Sequence, residues 1–176
     1  MTGKKFLNSL ANGKSDVIQL FLDLLKKLII KYCVIGGLGV NAYAEPVASL
    51  DLDLVLAIDD IQKLIKIISK PNGKFKVTEF THSINLKHPD SDLSIQIQTD
   101  ERYQPFIKSA STKNVLGYKM KVASLEDLLK GKIWAYSDEE RRRSKRQKDL
   151  ADILRLVETH PHLNDLLPDN IKKVIG

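Results

Sequence analysis

From Val17 onward the apolar residues Leu20, Phe21, Leu24, Leu25 and Leu28 return every three or four positions. That is the spacing of an amphipathic helix, with Ser15 or Asp16 placed to cap it. Tyr32 to Ile35 reads as a short strand running straight into Gly36-Gly37, and a helix from Leu38 to Ala44 follows, closed by Pro46. Leu50 to Ala57 reads as a second strand, and Asp59-Asp60 open a helix through Ile68, their acids facing the positive end of its dipole. Pro71-Asn-Gly marks a turn before three strand-like segments, Lys74 to Phe80, Ser83 to Lys87 and Leu93 to Gln98. After Arg102 the pattern predicts a helix near Phe106 to Ala110 and a strand around Tyr118 to Val122. Ser124, with Asp127 three positions later, opens a helix through Tyr136. Another runs from about Glu140 to Glu158, with one or two short helices after Pro161, while residues 1–13 read as a polar, frayed start. The fold class expected is α+β: a small mixed sheet flanked by helices over 1–105, then a mainly helical part over 106–176 that completes a cleft.

Composition narrows the class of molecule. Of 176 residues, 43% are hydrophobic and 28% charged, which excludes a disordered or fibrous chain. The lone Cys33 cannot form an internal disulfide, and no Cys/His set has zinc spacing. Leu20 to Ile30 is too short, and too interrupted by Asp23, Lys26 and Lys27, to cross a bilayer. The N-terminus lacks a signal-peptide pattern, so a cytoplasmic protein with no membrane partner is expected. Charge is uneven: twelve cations face eleven acids over 1–100, and sixteen face eleven over 101–176. Six of the eight residues from Arg141 to Lys148 are cationic, a cluster suited to phosphates or a nucleic-acid backbone.

The most informative run is Leu50-Asp-Leu-Asp-Leu-Val-Leu56. Strand side chains alternate, so the leucines share one face while Asp51 and Asp53 share the other, about 6.6 Å apart along the chain. Two bare anions so placed repel unless a cation neutralises them, and a hard divalent metal is the natural solution. The leucine face anchors this strand in the core. Gly36-Gly37, about 14 residues upstream, offers free backbone N–H groups for a phosphate.

Gly36-Gly37, a short helix and Asp51-Leu-Asp53 resemble the signature of the nucleotidyltransferase superfamily. The C-terminal half, with Lys132-Ile-Trp-Ala135 and Arg141 through Lys148-Asp149-Leu-Ala-Asp152, resembles the AbiEii-like, toxin-type branch over roughly residues 15–160. The resemblance implies that Asp51 and Asp53 ligate catalytic Mg2+ and that Gly36 and Gly37, with Ser49, seat a nucleoside triphosphate. It implies further that Lys132 and Lys148 meet phosphate, and that Asp149 or Asp152 orients or deprotonates the acceptor hydroxyl. Arg142, Lys145 and Arg146 would contact nucleic acid. Val47 and Ser49 stand where such proteins commonly carry Arg and Thr, and Gly39 where a hydroxyl residue is frequent. Gln96 occupies the place of a third carboxylate; it becomes a neutral metal ligand, with Asp92, Asp100 and Glu101 flanking its strand.

Other candidates carry less. The four histidines are scattered, His160-Pro-His162 reads as a helix stop, and Trp134 reads as packing while Tyr136 is available to stack. The function expected is Mg2+-dependent transfer of a nucleotide from an NTP to a hydroxyl acceptor. RNA, especially a tRNA end, fits the basic helix, and a toxin role would bring a cognate antitoxin as partner. The alternatives are a catalytically degenerate module that binds nucleic acid or a protein, and an enzyme that modifies a small-molecule antibiotic.

Overall fold

The computed structural model describes all of residues 1–176. Helices α1 (Gly3–Leu10) and α2 (Val17–Lys27) lead to β1 (Tyr32–Ile35), α3 (Gly36–Val40), β2 (Asp51–Leu56) and α4 (Ile58–Ile68). Next come β3 (Lys76–Glu79), β4 (Ser83–Lys87), β5 (Ser94–Gln98) and a 3-10 segment over Glu101–Ile107. The chain continues with β6 (Ser111–Val115), β7 (Tyr118–Val122), α5 (Leu125–Ser137) and α6 (Arg143–Thr159). It ends with a second 3-10 segment, Pro161–Leu166, and α7 (Asp169–Ile175). The helix starts follow their local chemistry. Asp16 Oδ1 accepts the Gln19 amide at 3.1 Å, and Ser124 Oγ accepts the Asp127 amide at 3.2 Å.

The seven strands form one mixed sheet in the order β3-β4-β5-β2-β1-β7-β6, so β2 is central. It runs antiparallel to β1, with Ile35 opposite Asp53, and parallel to β5, with Gln96 opposite Asp53. Pairing on both sides fixes its register, and register decides which face each aspartate takes. Leu52, Leu54 and Leu56 are fully buried, in one apolar core with the inner sides of α2 and α4. Asp51 and Asp53 therefore look to the face where α3, α5 and α6 stand.

The start of the chain is ordered helix, contrary to the frayed start that its polarity suggests. Thr2 caps α1, Leu7 is buried, and the Ala11 carbonyl accepts the Asp92 amide at 2.7 Å. Tertiary anchoring through two apolar side chains outweighs the polar sequence around them. The helix expected near Phe106 is a 3-10 segment that begins earlier. Gln104 fixes it to the end of β2 by accepting the Ile58 amide and donating to the Leu56 carbonyl. After it lies β6, unforeseen because its sequence is polar and only Val115 is buried. A two-residue turn with Leu116 at φ 51° and Gly117 at φ 91° returns β6 into β7. Leu-Gly is a poor advertisement for such a turn. Because β7 pairs with β1, the sheet draws strands from both sides of residue 105, and the two segments share one sheet and one core.

Truncation of Leu7 to Ala should lower stability by about 2–4 kcal/mol in urea denaturation, the cost of a core cavity. A change below 0.5 kcal/mol would mean that α1 lies outside the cooperative unit.

Candidate active site

The end of β1 and the start of β2 create the site together. At Gly36 the backbone turns with φ 68°, and a Cβ there would lie 2.2 Å from Asp53 Oδ2. Only glycine lets the turn cross the carboxylate so closely. Gly37 is different: a Cβ there would meet nothing nearer than Asp152 Oδ2 at 3.8 Å and Ser49 Oγ at 3.9 Å, so the space beside its Cα is open to the cleft. Gly39 is a packing glycine, where a Cβ would press Leu128 Cδ2 at 2.8 Å. Ser49 turns back on its own strand, its Oγ accepting the Asp51 amide at 3.2 Å.

The two aspartates have unlike surroundings. Asp51 Oδ2 receives a charged hydrogen bond from Lys145 Nζ, on the first turn of α6, at 3.0 Å. Asp53 makes no side-chain hydrogen bond or ion pair. Burial pushes its carboxyl up to about 6, a shift resisted by the nearby charges of Lys132, Lys145 and Arg141 and assisted by that of Asp51. The Gln96 amide, in register beside it, is also unpartnered, while Gln98 is occupied by the Asp100 amide. No third acid arrives from the flanks of β5. Asp100 is held by Arg102 at 2.8 Å, Asp92 by Asn12 at 2.6 Å, and Glu101 is exposed. No cage of three acidic, Cys or His ligands forms. Two adjacent carboxylates, one of them unpartnered, with a free amide oxygen alongside, make a donor set that suits a hard divalent cation with open positions.

Opposite the strand, α5 and α6 are joined by a buried ion network. Lys132 Nζ sits 3.0 Å from Asp149 Oδ1 and 2.7 Å from Asp152 Oδ2. Desolvation alone would lower the pKa of the amine, but these two carboxylates together outweigh it and raise it. Asp149, only 1% exposed, also takes Arg141 Nε at 2.6 Å. Asp152 takes Arg155 Nη1 at 2.7 Å. Arg155 reaches on to Asn41 Oδ1 at 2.7 Å, and Asn41 holds both the amide and the carbonyl of Val47. The loop before β2 is thereby tied to α6.

The space between sheet and helices has two compartments that meet at Asp53, Gln96, Lys132, Arg141 and Asp149. One, about 670 Å³ counted to its open mouth, gathers Gly37, Ser49, Asp51, Lys145, Lys148 and Arg155. The other, about 590 Å³, is walled by Ile35, Tyr103, Phe106 and Leu128 and edged by Ser83 and Gln98. Charge is concentrated in the first and aromatic surface in the second.

The structure thus brings Gly36, Gly37, Ser49, Asp51, Asp53, Gln96, Lys132, Lys145, Lys148, Asp149 and Asp152 around one cleft. Lys132, expected to meet phosphate, is engaged by two carboxylates, and Asp149 and Asp152, expected to handle the acceptor proton, are each engaged by two cations. Arg146 turns away to the Tyr136 carbonyl at 2.7 Å and lies over the Tyr136 ring, which leaves Arg142, Arg143 and Lys148 as the uncommitted part of the basic cluster. Trp134 stacks on Phe106 behind the second compartment. Arg155 and Asn41 were missed. The only sequence signal was Arg155 lying three residues beyond Asp152.

Residues 35–175 match a sequence model described as nucleotidyl transferase AbiEii toxin, type IV TA system. Among solved structures, ANT(2")-Ia in complex with adenylyl-2"-tobramycin superposes with a TM-score of 0.61 at 14% identity, over 91% of this chain and 97% of that one. The lincosamide antibiotic adenylyltransferase LnuA, lincomycin-bound, gives 0.58 at 18% identity over 84% and 99%. An antigenic nucleotidyltransferase-like protein from Paracoccidioides brasiliensis gives 0.52 at 21% over 86% and 75%. At these identities the likeness is one of fold. No sequence among the curated proteins matches.

The two glycines should respond differently to alanine. Gly36→Ala should lose about 2 kcal/mol or more in chemical denaturation, from the left-handed backbone and the Asp53 clash together. Gly37→Ala should stay within about 0.5 kcal/mol. Asp53 should show itself through pH. With its native carboxyl held above the ordinary value, the folded state binds the extra proton between about pH 4 and 6, so stability falls as pH rises through that window. In EDTA, Asp53→Asn should therefore be more stable than wild type at pH 7.5 by roughly 1–2 kcal/mol, discounted for the partly wet side chain. The two melting curves should converge near pH 4.

Proposed function

The chain belongs to the AbiEii nucleotidyl transferase family, and from that premise we propose that it moves a nucleotide from an NTP to a hydroxyl acceptor with the help of Mg2+. The observation that carries this reading is the placement of Asp51 and Asp53 on one face of a central strand, directly under the Gly36 turn. Asp51, Asp53 and the Gln96 oxygen would hold the metal, which when bound neutralises the carboxylates and screens triphosphate charge. The Gly37 backbone, in the first turn of α3, and Lys148 both line the charged compartment and bind the phosphates there. Lys132 stays with Asp149 and Asp152 and acts through its field, facing Asp53 with positive charge. The tie from Arg155 through Asn41 to Val47 holds the loop that delivers Ser49 and Asp51.

For the acceptor, the uncommitted Arg142, Arg143 and Lys148 favour an RNA over a neutral small molecule. A toxin role, with a cognate antitoxin, follows from the family description and is proposed on that ground. One feature supports a second reading, a binding module without turnover: Gln96 stands level with Asp53 and supplies no charge.

Incubation with α-labelled NTPs, Mg2+ and total RNA, with an aminoglycoside and a lincosamide in parallel, separates the possibilities. Label should pass to RNA, and Asp51→Asn or Asp53→Asn should cut the rate more than a hundredfold. Label on the antibiotic alone would reassign the acceptor. Nucleotide binding without transfer to anything would favour the binding module.

A further inference from the structure

We propose that Lys145 is an exchangeable counter-cation: it neutralises Asp51 in the resting protein, yields that carboxylate to the divalent metal, and then binds the phosphates of the nucleotide. The proposal rests on the metal reading above and adds to it a residue with two successive partners. Lys145 Nζ is 3.0 Å from Asp51 Oδ2 and is that carboxylate's one ion-pair partner. The remaining network cations are committed elsewhere, Lys132 and Arg141 to Asp149 and Arg155 to Asp152. The Lys145–Asp51 pair is also the wet one. Its side chains are 35% and 26% exposed, against 11% and 2% for Lys132 and Asp149. A partly hydrated ammonium on a flexible stem releases its partner at little cost, which a buried pair cannot do.

Geometry makes the two cations alternatives. An ion that takes Asp51 oxygen brings two charges where Lys145 brings one, and repulsion between two cations on one carboxylate drives the ammonium off it. It does not have far to go. Lys145 lies on the first turn of α6 and shares a compartment with Gly37, Ser49 and Lys148, so its amine can reach an anion seated there without crossing protein. Asp53, with no cation in contact, stays with the metal throughout.

The test uses the whole protein and reads binding. Free Mn2+ followed by electron paramagnetic resonance, without nucleotide, should show about fivefold tighter uptake by Lys145→Met than by wild type. Lys148→Met removes the same charge from the same compartment but no contact to Asp51, and should give a clearly smaller increase. With Mn2+ saturating, calorimetry with a nonhydrolysable NTP should show about tenfold weaker binding to Lys145→Met. Tighter metal together with weaker nucleotide is the signature of exchange. Equal Mn2+ uptake by wild type and Lys145→Met overturns the proposal. So do equal increases in the two lysine variants, which indicate a field effect alone, and so does unchanged nucleotide affinity. If Asp51→Asn/Asp53→Asn abolishes Mn2+ uptake while Lys145→Met leaves it unaltered, the exchange falls and the metal reading stands. Wild type that takes up no Mn2+ overturns both.

Discussion

Lys132, held between Asp149 and Asp152, is the contact on which the rest of the cleft depends. An ammonium withdrawn from water to 11% exposure costs several kcal/mol unless its partners are well placed, and here two carboxylates lie at 3.0 and 2.7 Å. Each of those acids is shared with an arginine, so the charge is spread over five groups. The network cross-links α5 to α6 and continues through Arg155 and Asn41 to the loop before β2. Loss of any one member would leave its neighbours short of a counter-charge with little water to replace it, which is why this cluster fixes the stance of the helices over the sheet.

The stance has an electrostatic consequence. Asp53 is buried enough for its carboxyl to be pushed up to about 6, yet no cation touches it; Lys132 acts on it through space. Asp51, two residues earlier, has its own cation in Lys145. The pair is therefore partly neutralised by the protein and partly open, as a site must be if a cation is to enter and leave. A fully paired site would exclude the ion, and a fully bare one would strain the fold.

The two compartments extend this division. Charges collect where α3, the Ser49 loop and α6 converge, and the aromatic wall of Tyr103 and Phe106 comes from the 3-10 segment that Gln104 ties to β2. Asp53 stands at the junction of the two.

The chain on its own determined the short-range features. Alternation in Leu50–Leu56 put both aspartates on one face, Gly36-Gly37 marked the turn beside them, and Ser15-Asp16 and Ser124 marked helix starts, because each depends on neighbours within four residues. Tertiary structure alone decided what crosses long separations. The polar first helix stands because Leu7 finds a core, and β6 exists because β7 offers it an edge. Lys132 read as a phosphate ligand and Asp149 and Asp152 as proton-handling groups, but packing brings the three together in one network, while Lys145 found Asp51 across 94 residues. A charged side chain's partner is set by which surfaces meet and how much water stays between them, and sequence spacing holds no record of either.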